Sequence, residues 1–166
     1  MNRGNFARHA LLEKARELFQ TAYESQMVGD LDEAISLYQA SIETYPTAEA
    51  HTFLGWTYSI QGRFDEAIAE CHAAIDIDPE FGNPYNDIGA YLIDQQQFDD
   101  AIPWLERALQ ATRYETYHFP WFNLGRVYAA KEHYNRAAEC YSQALSVAPD
   151  YTLAQDGLAS VRRKVH

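Results

Sequence analysis

The sequence predicts an all-α protein, a solenoid of antiparallel helix pairs, and three observations carry the prediction. A segment recurs four times, its small central residue falling at Ala22, Gly55, Gly89 and Gly125. Each copy reads as two amphipathic stretches with apolar residues three and four apart, the spacing of one helix face. Five of the six prolines fall where such helices begin or have just ended.

The elements follow in order. Residues 1–14 form an N-terminal helical extension whose stripe Phe6, Leu11, Ala15 and Leu18 runs into the first copy, so the first helix is expected to be long. Within the copies, "VGDLDEA", "QGRFDEA", "QQQFDDA" and "KEHYNRA" are the polar turns between the two helices. Gly29 and Gly62 suit a left-handed helix end, and the acids after the first three turns suit the positive N-terminus of the next helix. Pro46, Pro79 and Pro149 follow second helices, while Pro84 and Pro120 sit in the first turn of first helices, where no amide bond is lost. Pro103 falls inside a second helix and is expected to kink or shorten it. The small residues face Ala34, Ala67, Ala101 and Ala137, which lets paired helices approach closely. A final helix over 152–166 covers the last copy with Leu153, Leu158 and Val161, because a helical repeat cannot bury its end face alone.

Composition narrows the function. With 166 residues, 47% of them hydrophobic, the chain is long enough to bury a continuous core. Thirteen Lys and Arg stand against 24 Asp and Glu, and the net charge of -11 repels a phosphate backbone, which argues against a nucleic-acid partner. No window approaches the roughly 20 apolar residues of a membrane span, and "MNRGNFARHALLEKARELF" lacks the unbroken apolar core of a secretory leader. A cytoplasmic location without membrane insertion is therefore expected.

The octet "WFNLGRVY" carries a W-x2-L-G-x2-Y pattern in Trp121, Leu124, Gly125 and Tyr128. With its three looser copies it resembles the tetratricopeptide repeat. The departures are local: Ala22 replaces the first glycine, His51 the second tryptophan and Leu92 the third tyrosine, and two extra residues precede the fourth copy. The resemblance implies a right-handed superhelix in one domain, with repeats at 15–47, 48–81, 82–117 and 118–151 between the N-terminal extension and the capping helix.

Nothing in the sequence builds a catalytic site. Cys71 and His72 point about 100° apart on a helix and cannot readily share a metal. Cys71 occupies the position of Tyr38, Leu105 and Tyr141, an apolar core position, and Cys140 lies two repeats away, which excludes a disulfide framework. Carboxylate pairs such as Asp65-Glu66 and Asp99-Asp100 sit at helix starts, where the helix dipole favours them. No metal or cofactor is expected, and the protein is read as a non-enzyme. The segment "RYETYHFPWF" over 113–122 reads as a helix entry packed by its own aromatics or as a protruding contact loop.

In the resembled family the first helices line a concave groove that takes an extended peptide or a partner helix. Carried over residue by residue, the groove-facing positions are Phe19, Tyr23, Thr52, Trp56, Asn86, Asp87, Phe122, Asn123 and Arg126. The wall reads as aromatic at one end, amide-rich in the middle and cationic near the far end. The Lys/Asn/Asn/Lys/Arg clamp that some members use on C-terminal carboxylates is absent. Its positions read Phe19, Tyr23, Phe53, Asn83 and Asp87 from the first repeat, or Thr52, Trp56, Asp87, Phe119 and Asn123 from the second. The expected role is an adaptor for an apolar or aromatic peptide segment or helix. The alternatives are self-association into a scaffold and a small acidic chaperone of the secretion type.

Overall fold

Four turns with one backbone geometry set the architecture. At each, the helix ends in a left-handed residue: Gly29 at φ 86°, Gly62 at 74°, Gln96 at 61° and Glu132 at 60°. The next amide donates to the carbonyl five residues back, Asp30 to Ser25, Arg63 to Tyr58, Gln97 to Leu92 and His133 to Tyr128, at 2.8–3.0 Å. This is the closing bond of a Schellman turn, which satisfies a carbonyl the helix end would leave bare. Glycine adopts the conformation without Cβ strain, whereas Gln96 and Glu132 adopt it against that strain.

The computed structural model describes residues 3–165, with side chains from Asn5 onward. Met1, Asn2 and His166, which the sequence assigns to the N-terminal extension and the capping helix, lie outside the described residues. Among those described, every regular element is a helix: α1 (Arg3–Met27), α2 (Leu31–Thr44), α3 (Ala48–Ile60), α4 (Phe64–Ile77), α5 (Asn83–Asp94), α6 (Phe98–Gln110), α7 (His118–Ala130), α8 (Tyr134–Val147) and α9 (Thr152–Arg162). They group into two compact units, residues 1–79 and 80–166.

In the first unit α1 packs on α2 and α3 on α4, and α3 also touches α2 and α1. Asp30 caps α2 by accepting from the Glu33 amide at 3.3 Å, and Thr47 caps α3 by accepting from Ala50 at 3.1 Å. Tyr38 and Cys71 are fully buried, and a Cβ on Gly55 would lie 3.5 Å from the Cys71 sulfur. The tyrosine hydroxyl donates to Gln26 Oε1 at 2.8 Å.

In the second unit α5 packs on α6, α7 on α8, and α9 on α8 and α7, while α6 and α5 touch α7. Leu105 and Tyr141 fill the corresponding core positions. A Cβ on Gly125 would lie 2.5 Å from the Tyr141 ring, and one on Gly157 would lie 2.7 Å from it. The ring is thus held between two glycines, one on the last repeat and one on α9. Gly157 therefore stands in the repeat register, and α9 packs as the first helix of a further repeat would.

Two expectations need correction. Phe6 and Leu11 do not join the core; they are 67% and 48% exposed on α1, which at 25 residues outruns the 14 of α2. Of the expected stripe only Ala15 is buried, its carbonyl accepting from Ser41 Oγ at 2.7 Å. Leu153 is 54% exposed, and α9 docks instead through Ala154, Gly157 and Val161, because Tyr141 dictates which face sits down. Pro103 lies inside α6, which continues through it and at 13 residues is one shorter than α4 and α8. Its ring lies on the exposed side, and the carbonyl it leaves unbonded belongs to Asp99 in the first turn, within reach of water.

The segment preceding α7 is packed. The Arg113 amide donates to the Glu80 carbonyl at 2.9 Å, and the Gly82 amide donates to the Arg113 carbonyl at 3.1 Å, a short parallel bridge. Tyr114 is buried against Gly82, where a Cβ would meet its ring, and Tyr117 donates from its hydroxyl to the Ala111 carbonyl at 2.7 Å.

Candidate functional surfaces

In the first unit, helical spacing puts Phe19 and Tyr23 one turn apart on α1, and the α1/α3 contact brings them to the aromatics of α3. Phe53 joins them. Its ring centroid lies 5.1 Å from Phe19, 5.8 Å from Tyr23 and 5.7 Å from Trp56, each pair in the edge-to-face arrangement that aromatic quadrupoles favour. Phe19 and Tyr23 are half-buried, and Trp56 keeps 38% of its surface exposed. Thr52 is corrected: it is 3% exposed, its hydroxyl donates to the Ala48 carbonyl of its own helix at 2.7 Å, and it offers a ligand no surface. Phe53, the centre of the cluster, is the residue the groove assignment missed. It lies two positions before Gly55, the same marginal register as Asp87 before Gly89, and that equivalence could have found it.

In the second unit, α5 and α7 present a polar relay. Arg126 donates to Asn123 Oδ1 at 3.1 Å, Asn123 Nδ2 donates to Asn86 Oδ1 at 3.0 Å, and Asn86 Nδ2 donates to Asp87 Oδ1 at 3.4 Å. Asn86 and Asn123 are buried and spend these amide bonds on each other, so the expected amide-rich middle of the groove wall is corrected to a buried pair. Arg126 is partly exposed and also donates to Asp94 at 2.9 Å, a partner one repeat length away. Phe122 is half-buried and packs 5.8 Å from Tyr141 and 5.2 Å from Tyr151 within its unit. The Tyr151 ring also takes His118 and Phe119 at 5.1 and 5.8 Å.

Burial sets the protonation of this surface. The Asp87 carboxyl is pushed up to about 7 by removal from water, against the smaller opposite pull of the Asn86 amide. Tyr114, beside it, is raised chiefly by burial, and His118 is lowered by the same cause. Cys140 lies in the wall of a cavity of about 390 Å³ with Trp121, Leu124 and Tyr128. Burial pushes its thiol up to about 11, so it stays neutral and is a poor nucleophile. Cys71 and Cys140 are both buried, and neither is in a disulfide. Among the described residues no cluster of three His, Cys, Asp or Glu side chains is placed to hold a metal, and no helix is long and apolar enough to cross a membrane.

Comparison with known proteins adds to this geometry. Two family models described as tetratricopeptide repeat match the chain, one over residues 28–80 and one over 80–150. No curated protein matches the sequence. Among solved structures, PilF of Pseudomonas aeruginosa is similar at 22% identity and a TM-score of 0.85, over 92% of this chain and 70% of its own. MamA is similar at 24% identity and 0.72, over 86% and 83%. The first tetratricopeptide domain of Spaghetti (RPAP3), solved with the HSP90 peptide SRMEEVD, is similar at 21% identity and 0.65, over 71% and 92%. At such identities the likeness speaks for the fold.

Proposed function

Since the chain belongs to the tetratricopeptide-repeat family, whose repeats are protein-interaction modules, we propose that it is a non-enzymatic cytoplasmic adaptor. It binds an apolar or aromatic segment of another protein on its first-helix faces. The proposal includes the repeat boundaries 15–47, 48–81, 82–117 and 118–151 with a cap over 152–166. The observation that carries it is the exposed Trp56 indole, held at the edge of the Phe19, Tyr23 and Phe53 cluster. A rigid aromatic already ordered by its neighbours loses little entropy on binding, and Trp and Arg are the usual anchors of protein interfaces. The second unit adds Arg126, held by Asn123 and Asp94. Recognition of a C-terminal tail such as SRMEEVD is not part of the proposal, because Phe and Asp stand at the clamp positions.

The test is capture from native lysate with wild type, Trp56→Ala and Arg126→Glu as baits, each shown to keep full helical content. A partner held by wild type and released by Trp56→Ala supports the reading; a partner held equally by all three overturns it. A second reading, assembly of copies of this chain into a scaffold, is favoured by the exposed Phe6 and Leu11 on the overhanging end of α1. Light scattering that finds a monomer at high concentration disposes of it.

A further inference from the structure

The polar relay in the second unit ends on an acceptor that lacks a cation. Asn123 Oδ1 is taken by Arg126, and Asn86 Oδ1 is taken by Asn123. Arg126 spends its other reach on Asp94. Asp87 receives one amide hydrogen bond, from Asn86 Nδ2 at 3.4 Å, the long end of the range, and among the described residues it makes no ion pair. A carboxylate has two oxygens and about four lone-pair positions, so most of its capacity to accept is unused. Its setting is costly for such a group: half-buried, in the second turn of α5, beside the buried Tyr114 that the bridge to residues 80–82 holds in place. A desolvated carboxylate without a counter-ion destabilises the fold that carries it, and a charge-assisted hydrogen bond from a cationic side chain relieves that cost.

We infer that Asp87, at the end of the Arg126, Asn123 and Asn86 relay and beside Tyr114, receives a lysine or arginine side chain of the bound segment. The inference rests on the proposed peptide reading and adds to it the charge of one ligand position. Arg126 marks the opposite end of the relay with a positive charge, so the surface of the second unit is polar with a direction. The ligand that fits it carries its base toward Tyr114.

The experiment is a selection of random octapeptides displayed on phage against wild type, Asp87→Asn and Asp100→Asn. The last removes an exposed acid from the first turn of α6 and matches the change in net charge. Expected is enrichment of Lys or Arg at one fixed position by wild type and by Asp100→Asn, lost with Asp87→Asn. Synthetic peptides from the wild-type pool should bind Asp87→Asn on the order of tenfold more weakly, while thermal unfolding shows that variant to be at least as stable as wild type. Enrichment of apolar or aromatic residues without a basic position overturns the inference and leaves the peptide reading standing. Equal loss with Asp100→Asn traces any basic preference to the overall negative charge and also overturns it. No enrichment of any peptide sinks both.

Discussion

The two units build the same helical hairpins with different chemistry. The first closes both its turns on glycine and caps α2 and α3 with side chains; the second closes its turns on Gln96 and Glu132, and none of its helices has a side-chain cap. The first presents a cluster of rings around Phe53, the second a relay of amides and charges around Asn123. The comparison teaches that each repeat is specified by its own core residue, Tyr38, Cys71, Leu105 or Tyr141. In the second unit that core tolerates poor turn chemistry and an under-partnered carboxylate. The first unit is expected to be the better optimised for stability, the second to hold more strain near its polar surface.

The largest effect should come from Gly125→Leu. The Tyr141 ring has a glycine on each side and nowhere to retreat, so the insertion should cost about 3 kcal/mol or more and unfold the second unit first. Urea unfolding followed by helical circular dichroism would show a separate early transition; a single unshifted transition would contradict the wedge. Next is Phe53→Ala, which removes the ring shared by Phe19, Tyr23 and Trp56. It should cost about 2 kcal/mol, below the range for a fully buried phenylalanine because Phe53 is only partly covered. A red shift of tryptophan emission should accompany it as Trp56 loses its neighbour, and unchanged stability would show that the cluster serves binding alone.

Asp87→Asn should act in the other direction. A carboxyl raised in the folded state leaves the protein most stable below its unfolded pKa, near 4, and withdraws that stability as pH rises through about 7. The charged form at pH 8 therefore costs stability, and the asparagine should restore roughly 2 kcal/mol there, after allowance for the partial exposure of the site. At pH 4 it should restore almost nothing. Thermal midpoints of the two proteins between pH 4 and 8 would converge at the acid end; parallel curves would mean that Asp87 is well solvated.

The smallest effects sharpen the contrast between the turns. Gln96→Gly and Glu132→Gly should each stabilise by about 1 kcal/mol by relieving a left-handed Cβ, whereas Gly62→Ala should cost a similar amount. If all three substitutions destabilise, the side chains of Gln96 and Glu132 do more for the second unit than their backbone angles suggest.

What the residues determine alone is the fold, because a helical repeat is local. Each small residue, each core position 16 residues later and each turn is set by neighbours close in the chain, so four copies make the period legible without coordinates. The same logic placed Phe19, Tyr23 and Trp56 on one face. Only tertiary structure decided how those faces are spent. Thr52 turned inward because a hydroxyl on a crowded face bonds its own helix carbonyl, and Asn86 and Asn123 turned to each other because α5 and α7 bring two buried amides within reach. Phe6, Leu11 and Leu153 stayed exposed although helical spacing had given them a packed face. Whether a partner element arrives opposite a side chain depends on helix length and on which large residue sits in the seam, as α2 ends before Leu11 and Tyr141 chooses the face of α9. Periodicity says which way a side chain points on its helix; only the packed structure says what it meets there.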